Sequence, residues 1–154
     1  MTNIASIDQL LPHDEPMILI DRALEVGQDS IHCQVDISNR NPFFNVEQGT
    51  IPAYVGIEFM AQSVAAWSGY HALQQGQPPP IGFLLGSRRY HTNGEAFTAG
   101  QTLDIYAEKM MEDNGMAVFT ARIEQQGEAV ASCQLNVYVP SPQKLKEMKI
   151  RSQS

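Results

Sequence analysis

Glu58 is the only formally charged residue between positions 51 and 75, where the chain reads IPAYVGIEFMAQSVAAWSGYHALQQ. A carboxyl group in the first turn of an apolar helix is costly to bury, so it ordinarily has a partner or a task. Desolvation favours its protonated form, which makes it a proton donor. The amides at the start of the same helix, around Val55, Gly56 and Ile57, are placed to hold a developing negative charge. A proton donor and anion-stabilising amides together suit a reaction that expels an oxygen or attacks a carbonyl. Such a site also needs a base, and no histidine lies between His32 and His71 to provide one.

The elements that must carry Glu58 can be read from periodicity. Residues 6–11 (SIDQLL) suit a short helix with Ser6 as N-cap. Residues 17–26 (MILIDRALEV) suit a strand, and 30–37 place Ile31, Cys33, Val35 and Ile37 on one face with a period of two. After Pro52, a helix carries apolar or small residues nearly all round, including Ile57, Met60, Ala61, Val64, Ala65, Ala66 and Gly69. A helix of that kind is wrapped by other structure, and its small residues leave room for a tunnel beside it. The prolines at 78–80 end it. Four strands follow, at 81–90, 102–112, 116–125 and 128–139, with compact turn signals at 113–115 and at Gln126-Gly127. The expectation is α+β, an antiparallel sheet wrapped around one long central helix, with the last four strands in a meander.

Composition narrows the rest. A chain of 154 residues with 43% apolar and 18% charged residues fits one folded domain. The net charge of −7 is uneven: residues 141–154 carry four basic residues and one acid, leaving −10 for residues 1–140. An acidic body argues against nucleic-acid binding, and the basic stretch reads as a C-terminal tail appended to a domain at 1–140. No apolar run reaches the length of a membrane span, and the first residues lack a basic segment followed by an apolar core, so cytoplasmic residence is expected. Cys33 and Cys133 lack metal-ligand spacing and read as reduced core thiols, so no metal or cofactor is expected.

Several motifs, in order, resemble bacterial 3-hydroxyacyl-[acyl-carrier-protein] dehydratases of the hotdog fold. Residues 10–26 (LLPHDEPMILIDRALEV) look like their opening: Leu-Pro-His, a proline, an apolar strand, then Asp-Arg. NPFF at 41–44 is similar to their Asn-x-Pro-Phe-Phe segment. Pro52 followed by Glu58-Phe59-Met60-Ala61-Gln62 resembles the start of their catalytic helix. Gly86 and Gly100-Gln101-Thr102-Leu103 fall where the family has a strand glycine and a Pro-Gly-Asp-x-Leu turn. The departure is equally clear. Where the family carries Gly-His-Phe-Pro-Gly with its catalytic histidine, residues 45–51 read NVEQGTI.

The resemblance implies a hotdog protein acting on 3-hydroxyacyl thioesters of acyl-carrier protein, or of coenzyme A, in fatty-acid or polyene biosynthesis. The chain also resembles the accessory dehydratase-like proteins of aryl-polyene or polyunsaturated acyl gene clusters. Glu58 maps onto the family's catalytic acid, with Val55, Gly56, Ile57, Gly86 and Gln62 as substrate-binding positions. His91, after Gly86, is the candidate substitute base; His71 lies about 20 Å along the helix from Glu58, His32 faces solvent, and His13 of Leu-Pro-His reads as structural. Family sites combine the histidine of one subunit with the acid of the other. This chain would then form a homodimer, or pair with a histidine-bearing dehydratase to complete one site. Arg88, Arg89 and Arg40 are candidate docking residues for an acidic carrier. Two alternatives stay open: a thioesterase in which Glu58 activates water, and a non-catalytic acyl-binding or scaffolding subunit. Glu58 could also simply cap the helix or pair with Arg88 or Arg89.

Overall fold

A computed structural model describes residues 4–13, 15, 17–80, 82–141, 143, 146, 147 and 150. Most of the basic tail at 141–154 lies outside the described residues, as do Asp14, Pro16 and Ile81. A short helix, α1 (Ile7–Leu10), is followed by strands β1 (Arg22–Val26) and β2 (Ser30–Asp36) and the two-residue β3 (Thr50–Ile51). Helix α2 (Gly56–Gln74) comes next, then β4 (Phe83–Thr92), the two-residue β5 (Phe97–Thr98), β6 (Thr102–Asp113), β7 (Met116–Gln125) and β8 (Glu128–Tyr138). Six strands form one antiparallel sheet in the order β1-β2-β6-β7-β8-β4, curled around α2. This is the α+β hotdog arrangement that the resemblance implied.

Period-two alternation builds the inner layer. Ile31, Cys33 and Val35 of β2, Leu103, Ile105 and Ala107 of β6, and Phe119, Ala121 and Ile123 of β7 are all buried. They enclose Phe59, Met60, Val64 and Ala66 of α2 in one core. The helix ends where Gly76 takes φ 74° and Gln77 N–H donates back to the Ala72 carbonyl, a left-handed cap that only glycine enters without cost. Both short turns have two consecutive left-handed residues, Asn114-Gly115 and Gln126-Gly127, the conformation that suits a tight hairpin.

The meander expectation holds for β6, β7 and β8 and fails for β4. Two-residue turns force β6–β7–β8 to be neighbours, whereas the longer connection at 93–101 frees β4 to pair with the far side of β8. That connection carries β5, which pairs with β3 (Thr50↔Thr98) and ties the approach to α2 against it. The first strand also starts later than position 17. Leu19 N–H and the Met17 carbonyl are bonded to the Gln62 side chain, so they are not available to β2. As a result β4 is an open sheet edge, ten residues long, with Leu84 and Leu85 exposed.

Candidate functional site

Glu58 sits in the first turn of α2 and is exposed in the single chain, without a hydrogen bond or ion pair among the described residues. The desolvation expected from the apolar sequence around it is therefore not provided by this chain alone. Glu58 lines a cavity of about 210 Å³ together with Ala61, Gln62, Ala65 and Ser68 of α2, Leu84 of β4, Val137 of β8 and His13. Positions 58, 61, 62, 65 and 68 share one helix face. Alanines at 61 and 65 give the cavity its width, as the small-residue pattern suggested. Gly69 has a different cause: a methyl group there would meet the Leu10 carbonyl oxygen at 1.8 Å, so α1 can approach α2 only against a glycine.

Gln62 is buried and bonded to the backbone at both ends of its amide. Its amide nitrogen donates to the Met17 carbonyl at 2.6 Å, and its oxygen accepts from Leu19 N–H at 2.8 Å. It fixes the segment leading into β1 against α2, the segment that brings His13 to the cavity. Two of the three amides read as anion donors are engaged too. Val55 N–H donates to the Pro52 carbonyl, and Gly56 N–H to the carbonyls of Ala53 and Tyr54, because a 3-10 turn at Ala53–Val55 extends the helix backward. Glu58, Gln62 and Ile57 thus share the start of one helix, but the two amides on either side of the turn are not free.

One residue at the helix start went unread in the sequence. Tyr90 of β4 donates its hydroxyl to the Ala53 carbonyl, and burial pushes its phenol above the ordinary range. Its aim depends on a bulge between Arg88 and His91, where Arg89 takes φ 56°. A left-handed arginine in a strand leaves no signature in the residue pattern. Tyr90 follows two arginines, and nothing in that spacing distinguished it.

The remaining candidates spread out along β4 and beyond. His91 is exposed, opposite Ser132, and does not line the Glu58 cavity. Gly86 lies at a second irregularity of β4, with nothing within 4 Å of the position a Cβ would take. Arg88 and Arg89 are exposed on the open edge strand, and Arg40 is exposed in the loop after β2, near enough to Asp36 to favour its ionised form. His71 bonds the Gly27 carbonyl at 2.9 Å at the far end of α2. The thiols are inert: burial pushes Cys33 up to about 12 and Cys133 to about 11. Among the described residues, no three His, Cys, Asp or Glu side chains cluster as metal ligands, and no helix is long and apolar enough to cross a membrane.

A larger cavity, about 260 Å³, lies on the outer sheet face between His32, Tyr106, Arg122, Glu25 and Glu108. Size favours it, but its histidine and arginine are already engaged by neighbouring groups. His32 bonds Asp104 at 2.7 Å and stacks on Tyr106, and Arg122 lies 4.2 Å from the centre of the same ring. The Glu58 cavity is smaller, and its Glu58 carboxyl and His13 ring have no hydrogen bond or ion pair among the described residues.

Over residues 5–149 the chain matches the family described as ApeP-like, ApeP dehydratase. The 3-hydroxyacyl-[acyl-carrier-protein] dehydratase FabZ of Streptococcus pneumoniae serotype 4 is 30% identical over 135 residues, 86% of this chain and 94% of the relative. FabZ of Streptococcus sanguinis is 29% identical over 133 residues, with the same shares covered. Among solved structures, a chain of the dehydratase heterocomplex ApeI:P from Xenorhabdus doucetiae aligns with a TM-score of 0.87 at 32% identity, covering 95% of this chain and 98% of that one. A hypothetical thioesterase with coenzyme A from Streptococcus pneumoniae aligns with a TM-score of 0.60 at 14% identity, over 77% of this chain and 86% of that one, a likeness of fold alone.

Proposed function

Because the chain belongs to the ApeP-like dehydratase family, we propose that it acts on 3-hydroxyacyl thioesters of acyl-carrier protein as the acid-bearing half of a shared site. The observation that carries this reading is the position of Glu58. It is exposed, without a partner among the described residues, and on a cavity whose wall includes Leu84 of the open edge strand. At about 210 Å³ the cavity falls below the roughly 300–1,000 Å³ of a typical ligand site, so one chain encloses only part of one. A ten-residue edge with exposed leucines invites a second strand, and a partner paired there would bury Glu58 and close the cavity.

The chemistry then divides between two chains. A base removes a proton from the carbon next to the thioester, and the electron pair forms the carbon–carbon double bond. The bond to the hydroxyl on the third carbon breaks, and that oxygen leaves as water with a proton from Glu58. Residues 45–51 bring no histidine, so the base comes from a histidine-bearing hotdog dehydratase paired along β4. Enclosure by that partner supplies the desolvation that favours a protonated Glu58. Exposed Arg88 and Arg89 on the same edge suit an acidic carrier, and fatty-acid or polyene assembly is the pathway class this substrate belongs to.

The test mixes the chain with a histidine-bearing dehydratase from the same genome and follows enoyl and free-thiol products from a 3-hydroxyacyl carrier substrate. A stable complex should form, yield enoyl product, and lose that activity on Glu58→Gln in this chain or on loss of the partner's histidine. Absence of a complex, or full activity with Glu58→Gln, would overturn the reading. Release of free thiol would assign Glu58 to water activation in a thioesterase instead.

A further inference from the structure

We propose that His13 is a second working group of the Glu58 cavity, a hydrogen-bond donor from Nε2 to an oxygen of the bound acyl thioester. The inference rests on the reading of that cavity as a thioester site and adds a residue to it. His13 and Glu58 line the same cavity, although 45 positions separate them in the chain. The His13 Nδ1 is buried and has no hydrogen-bond partner among the described residues. No contact among the described residues accounts for the ring's other nitrogen either. A structural histidine ordinarily spends at least one nitrogen on the fold, as His32 does on Asp104 and His71 on the Gly27 carbonyl. His13 spends neither.

The ring is held in place by its neighbours rather than by its own bonds. On one side Leu10 and Leu11 are buried, and the Leu10 carbonyl packs against Gly69. On the other side Gln62 grips the Met17 carbonyl and Leu19 N–H. Both flanks of His13 are therefore fixed to α2, the helix that carries Glu58. Preorganisation of this kind is what a ligand-binding group needs, because no side chain must be ordered when the ligand arrives.

The unpartnered Nδ1 also decides which nitrogen carries the proton. Orphaned buried N–H groups are rarer in folded proteins than under-used acceptors, so the proton resides on Nε2. That makes His13 a donor toward the cavity rather than a base. It fills a need the fold creates, because the Val55 and Gly56 amides already donate within the 3-10 turn and Gln62 is committed to the backbone. An oxygen of a 3-hydroxyacyl thioester, carbonyl or hydroxyl, is the acceptor of matching chemistry.

Long-range proton–nitrogen correlation of the imidazoles, with the pantetheine thioester of a 3-hydroxyacyl chain as probe, tests this on the intact chain without any substitution. The His13 ring should show an unprotonated Nδ1 and a protonated Nε2, and the Nε2 signal should shift as the probe binds. In the assembled complex, His13→Leu should lower kcat/KM and weaken the probe by about 10- to 100-fold, the range one lost hydrogen bond at a charge-bearing site spans. His13→Gln, which keeps a donor near the Nε2 position, should restore most of it. A proton on Nδ1, no Nε2 shift on saturation, or His13→Leu within about twofold of the parent in both readouts would overturn the proposal. Those results with Glu58→Gln still inactive would leave the site reading standing and remove only His13. A probe that does not bind, with Glu58→Gln also silent, would remove both.

Discussion

The outer face of the sheet and the cavity beside α2 treat charge in opposite ways. On the outer face, Arg22 makes a two-pronged contact with Asp36 at 2.8 and 2.9 Å and reaches Gln34, which in turn donates to Asp104. The Arg22 guanidinium holds the Asp36 carboxyl down at about 2. Burial opposes ionisation of Asp104, but hydrogen bonds from Gln34 and His32 outweigh it and keep that carboxyl below the usual range. In the cavity, Glu58 and His13 have no such company. The same residue types serve both places. What separates them is satisfaction: the side chains of the outer network bond one another, whereas Glu58 and the His13 ring have no bond among the described residues.

The sharpest way to break this contrast is to remove one carboxylate from each region. Glu58→Gln should lower dehydration by the complex about 10²- to 10⁴-fold, the usual contribution of a positioned acid, while shifting the unfolding midpoint of the chain very little. Asp104→Asn should leave turnover within about twofold and act on stability. Steady-state rates and urea midpoints of both variants decide it, and a large rate loss from Asp104→Asn would erase the distinction.

Gln62→Ala comes next, because it joins the two regimes. Gln62 looked like a substrate contact in the sequence, yet its amide closes onto Leu19 N–H and the Met17 carbonyl. Removal leaves the buried Leu19 N–H unsatisfied and frees the part-buried Met17 carbonyl, and should cost about 2 kcal/mol, roughly 4–8 °C in melting temperature for a chain of this size. His13 would lose its anchor as well, so substrate affinity should fall along with stability. A stable Gln62→Ala variant would mean that the entry segment holds itself in place.

That example shows what could and could not be read from the residues. The helix, the six main strands and both tight turns were legible because period-two burial, the proline stop and the Asn-Gly and Gln-Gly pairs are local signals. Glu58 was legible as the one charge in an apolar segment. The pairing of β4 with β8 was not, since a nine-residue connection at 93–101 does not choose a neighbour. Nor was the placing of His13 on the Glu58 cavity, where Gln62 and Gly69 hold a distant segment against the helix. The engaged state of the Val55 and Gly56 amides followed from a 3-10 turn that Pro52 permits but does not announce.

Tyr90→Phe probes the link between the open edge and the helix start with a smaller effect. Loss of the hydroxyl that bonds the Ala53 carbonyl should cost about 1 kcal/mol in stability. If the bulged edge strand positions the turn before Glu58, kcat in the complex should fall several-fold with KM little changed. Stability loss without any change in kcat would confine Tyr90 to the fold.

The smallest effect belongs to the closed network, and its pH dependence carries the information. The Asp36 carboxyl is held at about 2 in the folded chain, below the ordinary value of about 4. A lowered folded value means the unfolded chain binds the proton more readily, so the pair stabilises the fold above about pH 4 and loses that contribution as pH falls toward 2. Both partners are about two-fifths exposed, at 41% and 42%, so solvent screening limits the contribution to about 1 kcal/mol or less. Urea midpoints of the parent and Asp36→Asn should therefore differ at pH 7, converge between about pH 4 and 2, and draw together at high salt. A gap that stays constant from pH 7 to 2 would show that the asparagine disturbs packing rather than charge. The outer network would then be held by shape, and the contrast with the unpaired cavity would lose its electrostatic basis.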